Sequence, residues 1–174
     1  MYVGHVGAAL AAKRVHRSVG LLLLLIATYT PDWVDSALCL AGTYNQSGIL
    51  SHSMPAVALF AVLGFAIYGF STRDWRGALV IAAVIVSHML FDWITGHKPT
   101  WPGGPAIGLG LYEHPVADFI VESVAIVTGV ALYARTLPSR RRAWIDVSIM
   151  LVALLGLQLG VGVARMLMES LAKC

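Results

Sequence analysis

Three observations predict an all-α integral membrane bundle, a single domain over residues 1–174. Hydrophobic residues make up 58% of the chain. Charged residues make up only 12%, roughly half the share of a soluble domain. The apolar residues fall in continuous runs bounded by Pro, Gly and basic clusters, the pattern of membrane spans. The length holds about five spans of ~20 residues, plus a short N-terminal helix. The net charge of +3 is carried by clustered Lys and Arg, which inform topology rather than nucleic-acid binding. No aromatic-basic interleaving suited to bases occurs, so nucleic acid is not an expected partner. The two cysteines, Cys39 and Cys174, read as unrelated thiols rather than a disulfide framework or a thiolate metal site.

Residues 2–12 are small and apolar, and the basic turn KRVHRS follows at 13–18. The Leu-rich arm 19–30 ends at Pro31. Both arms are too short to span alone, since each helical residue rises ~1.5 Å. We read 2–30 as a helical hairpin whose basic turn sits at the inner interface, with His16 there as an interfacial residue. Both arms then rise to the outer leaflet, which brings His5 level with Asp32. A secretory signal over 13–38 is disfavoured, because no small-x-small cleavage site precedes Cys39.

Residues 55–71 form the next span, with Ser53 as N-cap and Pro55 in the first turn. Residues 77–95 form another, and a Gly/Pro-rich loop follows at 96–113. Pro115 opens a span to about Leu137, and the last runs from about Trp144 to Met168. The stretch 156–164 and the Leu run at 21–25 are packing features. Asp74 and Asp146 accompany basic residues and are assigned no special role.

The positive-inside rule gives one orientation in the cytoplasmic (inner) membrane. Lys13, Arg14, Arg17, Arg73, Arg76 and Arg140–Arg142 lie inside. Segments 31–53 and 96–114 then lie on the periplasmic side. Asp32, Asp35, His52, His88, Asp92, His97, His114 and Asp118 all follow onto that side.

The spacing of His88 to Asp92 recurs in His114 to Asp118. Residues i and i+4 share a helix face, and ionisable groups inside a membrane are expensive and functional by default. Imidazoles and carboxylates without thiolates are the donors of a catalytic or transport zinc site. The expected ligands are His5, Asp32, His52, His88, Asp92, His97, His114 and Asp118. They outnumber the needs of one tetrahedral ion, so two or three zinc ions sharing a bridging Asp92 are expected. Closely spaced ions clamp both oxygens of a phosphoryl transfer. Asp35 reads equally as a helix cap or as support for a ligand. Glu122, one turn beyond Asp118, is expected to hold a ligand in place, and Glu113 to act as ligand, proton shuttle or rim charge.

These residues also carry a resemblance. Gly4-His5, Pro31-Asp32-x-x-Asp35, Ser51-His52-Ser53 and Ser87-His88-Met89-Leu90-Phe91-Asp92 occur in the order seen in LexA-regulated, membrane-bound metal-dependent hydrolases. The resemblance covers residues 1 to about 118. The ligand order is also similar to that of zinc-dependent phospholipase C and related single-strand nucleases. That likeness implies one zinc on Asp32, His52, His88 and Asp92, and a second on His97, His114 and Asp118. It implies a third on His5, Asp92 and the N-terminal residue. Met1 and Tyr2 depart from the opening of the secreted enzymes, and the Asp32-to-His52 interval is longer than theirs.

The expected function is a membrane-embedded metal-dependent hydrolase, a phosphoesterase resembling phospholipase C. Asp32 or Asp35 would orient or deprotonate the water. The substrate would be a lipid phosphate ester entering laterally from the outer leaflet. Lys98 would meet its head group, and Trp101 would anchor the loop at the interface. A zinc transporter or simple metal-binding membrane protein is the alternative, but its site would lie near the midplane with a matching inner site. Haem ligation by paired histidines is disfavoured by the interleaved carboxylates.

Overall fold

The computed structural model describes residues 3–43, 48–138 and 141–168. Eight helices run through the described residues, and the architecture is an all-α bundle. Helix α1 spans Gly4–Val15 and α2 spans Leu21–Thr28, so the expected hairpin forms. Its turn is closed by the Lys13 ammonium, which donates to the carbonyls of Arg17 and Val19. A break at Tyr29 separates α2 from α3, Thr30–Leu40, at an angle of 59°. Pro31 stands in the first turn of α3, where its missing N–H costs nothing. The short helix α4, Ile49–His52, follows. Between Pro31 and Ser53, the described residues are therefore mostly helical.

Three helices in succession are long and apolar enough to cross a membrane: α5, Met54–Thr72; α6, Trp75–Thr95; and α7, Pro115–Ala134. The last helix, α8, Arg141–Met168, contains a fourth such stretch over Ala143–Ala164. The bent α2–α3 pair makes a fifth candidate. Ser53 holds the N-cap position of α5, but its side chain makes no capping bond. Asp74, assigned no role from sequence, caps α6 by accepting from the Gly77 N–H at 2.9 Å. The reason is local: a carboxylate just before a helix satisfies an orphan N–H.

Helix α1 lies between two apolar clusters. Ala9 and Ala12 pack with Leu24, Val57, Ile81 and Ile85 of α2, α5 and α6. Leu10 packs with Ile126, Val130 and Val147 of α7 and α8. Two glycines let α1 and α7 touch backbone to backbone. A Cβ at Gly7 would stand 2.3 Å from the Ala125 carbonyl, and one at Gly129 would stand 2.2 Å from that of Gly7. Outward faces are apolar instead of polar: Leu59, Val62, Ile67 and Phe70 of α5, and Ile145, Ile149 and Val152 of α8, are exposed. Such a surface belongs in lipid.

The basic turns gather at one end of the bundle. The His16 imidazole of the α1–α2 turn lies 2.8 Å from the Asp74 carboxylate of the α5–α6 turn. Arg17 donates to the Arg135 carbonyl at the end of α7. Arg140 and the side chains of Arg141 and Arg142 lie outside the described residues, as do Met1, Tyr2 and Cys174. Cys39 is disulfide-bonded, which corrects its reading as an unrelated thiol.

Candidate metal centre

The opposite end of the bundle collects the buried polar side chains. His5 comes from the first turn of α1, Asp32 from the first turn of α3, and His52 from the end of α4. His88 and Asp92 share one face of α6. Asp92 is the centre of the arrangement. Its Oδ1 lies 3.4 Å from His5 Nε2, and its Oδ2 lies 3.4 Å from both His52 Nε2 and His88 Nε2. Asp32 Oδ1 stands 3.2 Å from His52 Nε2 and 3.6 Å from His88 Nε2. The rings of His5 and His88 stack tilted, 3.9 Å apart. Among the described residues, two trios have ligand atoms within 4.8 Å of one another: His5, His88 and Asp92; and Asp32, His52 and His88.

The hydrogen bonds behind the imidazoles settle which nitrogen faces the cluster. His88 Nδ1 lies 2.7 Å from the Thr28 carbonyl. A carbonyl only accepts, so Nδ1 carries the proton and Nε2 presents a lone pair to the two carboxylates. His52 Nδ1 lies 2.7 Å from Ser51 Oγ. The same hydroxyl donates to Asp35 Oδ1 at 3.3 Å or to the Gly48 carbonyl at 3.4 Å. When its proton goes to one of these acceptors, it accepts from His52 Nδ1 and leaves Nε2 a lone pair for a cation; with no cation, Nε2–H donates to Asp32 Oδ1 at 3.2 Å instead. The Nε2 of His52 then also faces inward. Thr28 further donates its hydroxyl to the His5 carbonyl at 3.4 Å, tying α2 to the start of α1.

A cluster of inward lone pairs and carboxylates repels itself unless a cation or protons lie among them. Part of that charge is balanced by Lys98, whose ammonium lies 3.3 Å from Asp92 Oδ2. The rest is not: His5, fully buried, has neither ring nitrogen hydrogen-bonded, and His88 Nε2 is likewise unpartnered. Buried imidazoles aimed at carboxylates in this way fit a divalent cation of borderline softness. His88 offers a single nitrogen, so the two trios compete for it. Asp92 offers two oxygens on different sides, the geometry of a bridging carboxylate.

Not every expected ligand joins. His97 is exposed, with its ring over Gly110. His114 is exposed at the N-cap of α7, and Asp118 is buried one turn on; none of the three falls in either trio. The loop sets this arrangement. A two-residue hairpin pairs β1, Lys98–Pro99, with β2, Ala106–Ile107. The Thr100 carbonyl accepts from Met54 N–H at 2.8 Å, and Leu109 N–H donates to the Trp93 carbonyl at 2.7 Å. Gly108 presses on the Gly96 carbonyl, where a Cβ would stand 1.8 Å away. This clamp turns Lys98 inward and His97 outward. Trp101 and Glu113 are exposed on the same loop.

Glu122 acts on the N-terminus of α1. Fully buried on α7, its Oε2 accepts from the Val3 and Gly4 N–H groups, each at 3.0 Å. A carboxylate there satisfies two orphan donors and complements the helix dipole. It fixes the residue before His5, so it holds a site residue in place at one remove. Asp35 stands behind Ser51 rather than among the inward groups. Neither Thr28 nor Ser51 has a role that the sequence assigns. Ser51 had a signal in the Ser-His-Ser triplet; a backbone carbonyl such as that of Thr28 has none.

Nearly the whole chain matches one family model. A model of the YdjM inner membrane protein family aligns with residues 1–166. The chain belongs to the YdjM inner membrane protein family. Membership fits the four or five apolar spans and places this bundle in the inner membrane. The match covers every residue of both trios, so the cluster lies within the part shared with the YdjM family. No curated protein and no solved structure matches the chain.

Proposed function

We propose that the cluster is a zinc centre and that the protein is a membrane-embedded phosphoesterase acting on a lipid phosphate ester. The observation that carries this reading is the pair of buried Nε2 atoms of His5 and His88, which make no hydrogen bond and face the two oxygens of Asp92 at 3.4 Å. Asp32, His52, His88 and Asp92 would hold one ion. His5 and the other oxygen of Asp92 would contribute to a second. Zinc bound there supplies Lewis acidity to a phosphoryl oxygen and to a water.

The chain's own groups divide the remaining work. Asp32 is the one carboxylate of the cluster with an exposed side chain, at 42%. It would accept the hydrogen bond, and then the proton, of the water that attacks phosphorus. Lys98 would exchange its contact with Asp92 for the phosphate anion. The new P–O bond forms from water, the ester P–O bond breaks, and the proton passes to the leaving alcohol. By the positive-inside rule the centre faces the periplasmic side, since the basic turns occupy the other end.

The test is a substrate screen. Zinc-loaded protein in lipid nanodiscs is incubated with phospholipids and polyprenyl phosphates, and release of phosphate or of the lipid alcohol is measured. Hydrolysis lost in Asp92→Ala supports the reading. Zinc flux in proteoliposomes without hydrolysis of any phosphoester would replace it with the transporter.

A further inference from the structure

Helix α3 carries its charges on the wrong face for a helix in water. Its exposed residues are Trp33, Ser36, Ala37 and Leu40, the i, i+3, i+4, i+7 stripe of a single face. None is charged, and Trp33 and Leu40 are 61% and 90% exposed. Asp32 and Asp35 lie off that stripe. Asp32 points to the histidines, and Asp35 meets Ser51. A helix on an aqueous surface shows the reverse arrangement. The 59° bend from α2 turns α3 away from the direction of the preceding arm. Its exposed face is uncharged and carries large apolar side chains, as the outward faces of the spans do, and inner-membrane residence assigns such faces to lipid.

The cluster also opens at this helix. The side chains of His5, His52, His88 and Asp92 are at most 4% exposed. Asp32, in the first turn of α3 and adjacent to Trp33, is the accessible member. Lys98, 24% exposed, reaches Asp92 from the loop that also carries exposed Trp101 and Leu109. Aromatic side chains with an apolar body and a polar edge favour the membrane–water interface.

We propose that α3 lies in the leaflet at the site end, its Trp33–Leu40 face against acyl chains. It forms the side wall past which the head group of an amphiphilic phosphoester reaches Asp32 without leaving the membrane. The position of α3 stands on the exposure pattern alone; the substrate part rests on the phosphoesterase reading.

Two measurements separate these parts. The first uses a single-Trp chain in which Trp75, Trp93, Trp101 and Trp144 are replaced by Phe, reconstituted in vesicles. Lipids brominated on the acyl chain quench Trp33 and aqueous iodide does not. Quenching by iodide with none by the brominated lipids overturns the proposal, whatever the protein catalyses. The second compares a phosphoester embedded in vesicles with a short-chain, water-soluble one. Trp33→Ser, or Leu40→Ser as an independent variant, raises KM for the embedded ester roughly tenfold, the order expected for one large apolar side chain lost from lipid. The soluble ester keeps its KM. Equal changes for both esters, or none for either, overturn lateral entry. A wild-type chain that hydrolyses neither ester removes the phosphoesterase reading and with it the substrate part, leaving the quenching result to judge α3.

Discussion

His88 donates its Nδ1 proton to the Thr28 carbonyl, and His52 Nδ1 hydrogen-bonds the Ser51 hydroxyl at 2.7 Å. Each imidazole is thereby held with Nε2 toward Asp32 and Asp92. Groups behind a ligand typically control affinity ~10–100-fold. Ser51→Ala should therefore weaken zinc binding by about tenfold or more, while Ser51→Thr keeps the hydroxyl and most of the affinity. A chelator-competition titration reads this, and an Ala variant with unchanged affinity would remove the tautomer argument. At the opposite end, the Asp74 carboxyl is held below its ordinary value, first by the His16 bond and then by the Gly77 N–H. A carboxylate lowered by folding stabilises above its unfolded value of ~3.9 and loses that contribution as pH falls through the folded value. The thermal-stability gap between wild type and Asp74→Asn, present at pH 5, should close as the pH falls below about 4. A gap that widens in acid contradicts the pairing. The i, i+4 spacing made His88 and Asp92 legible from sequence, because both lie on one regular helix. His97 and His114 stand outside both trios, and their directions are set by a loop clamp of backbone bonds and a pressed glycine, which residue types do not display.

Among the elements, α1 depends on its neighbours most. A 12-residue helix is marginal alone. This one is held by glycine-mediated contact with α7 and by the Glu122 carboxylate at its N-terminus. Removing the carboxylate strands two buried N–H groups, each with a penalty of roughly 1–3 kcal/mol. Glu122→Ala should lower thermal stability accordingly and loosen zinc through His5, whereas Glu122→Gln retains an acceptor and loses less. Equal stability of all three chains in a detergent melting series would argue against the cap. The sequence signalled the hairpin, since two short apolar arms flank a basic turn. It also placed Glu122 beside the site, but not on α1: the contact spans 118 residues of chain, and nothing local announces it. Helix α3 was hidden for a related reason. Its apolar and acidic residues are mixed along the chain and separate only when wound on a helix whose polar side faces a protein cluster.

The whole molecule is polarised, with basic turns at one end and the histidine-carboxylate cluster at the other. Alternation of basic and ligand-bearing connections along the chain displayed this before any packing was known. In a background of Cys39→Ser and Cys174→Ser, Leu109→Cys should react with a membrane-impermeant maleimide added outside intact spheroplasts. Arg76→Cys should react only after permeabilisation, and the reverse pattern would invert the site's side. The central claim is that five side chains from α1, α3, α4 and α6 converge to hold a divalent cation. Zinc content of the purified, zinc-loaded and desalted protein tests it most directly, with His88→Ala and Asp92→Ala measured alongside. The account predicts at least one tightly held zinc per chain, lost in both variants while the bundle stays helical. A wild-type chain that retains no zinc, or variants that retain as much as wild type, would contradict it.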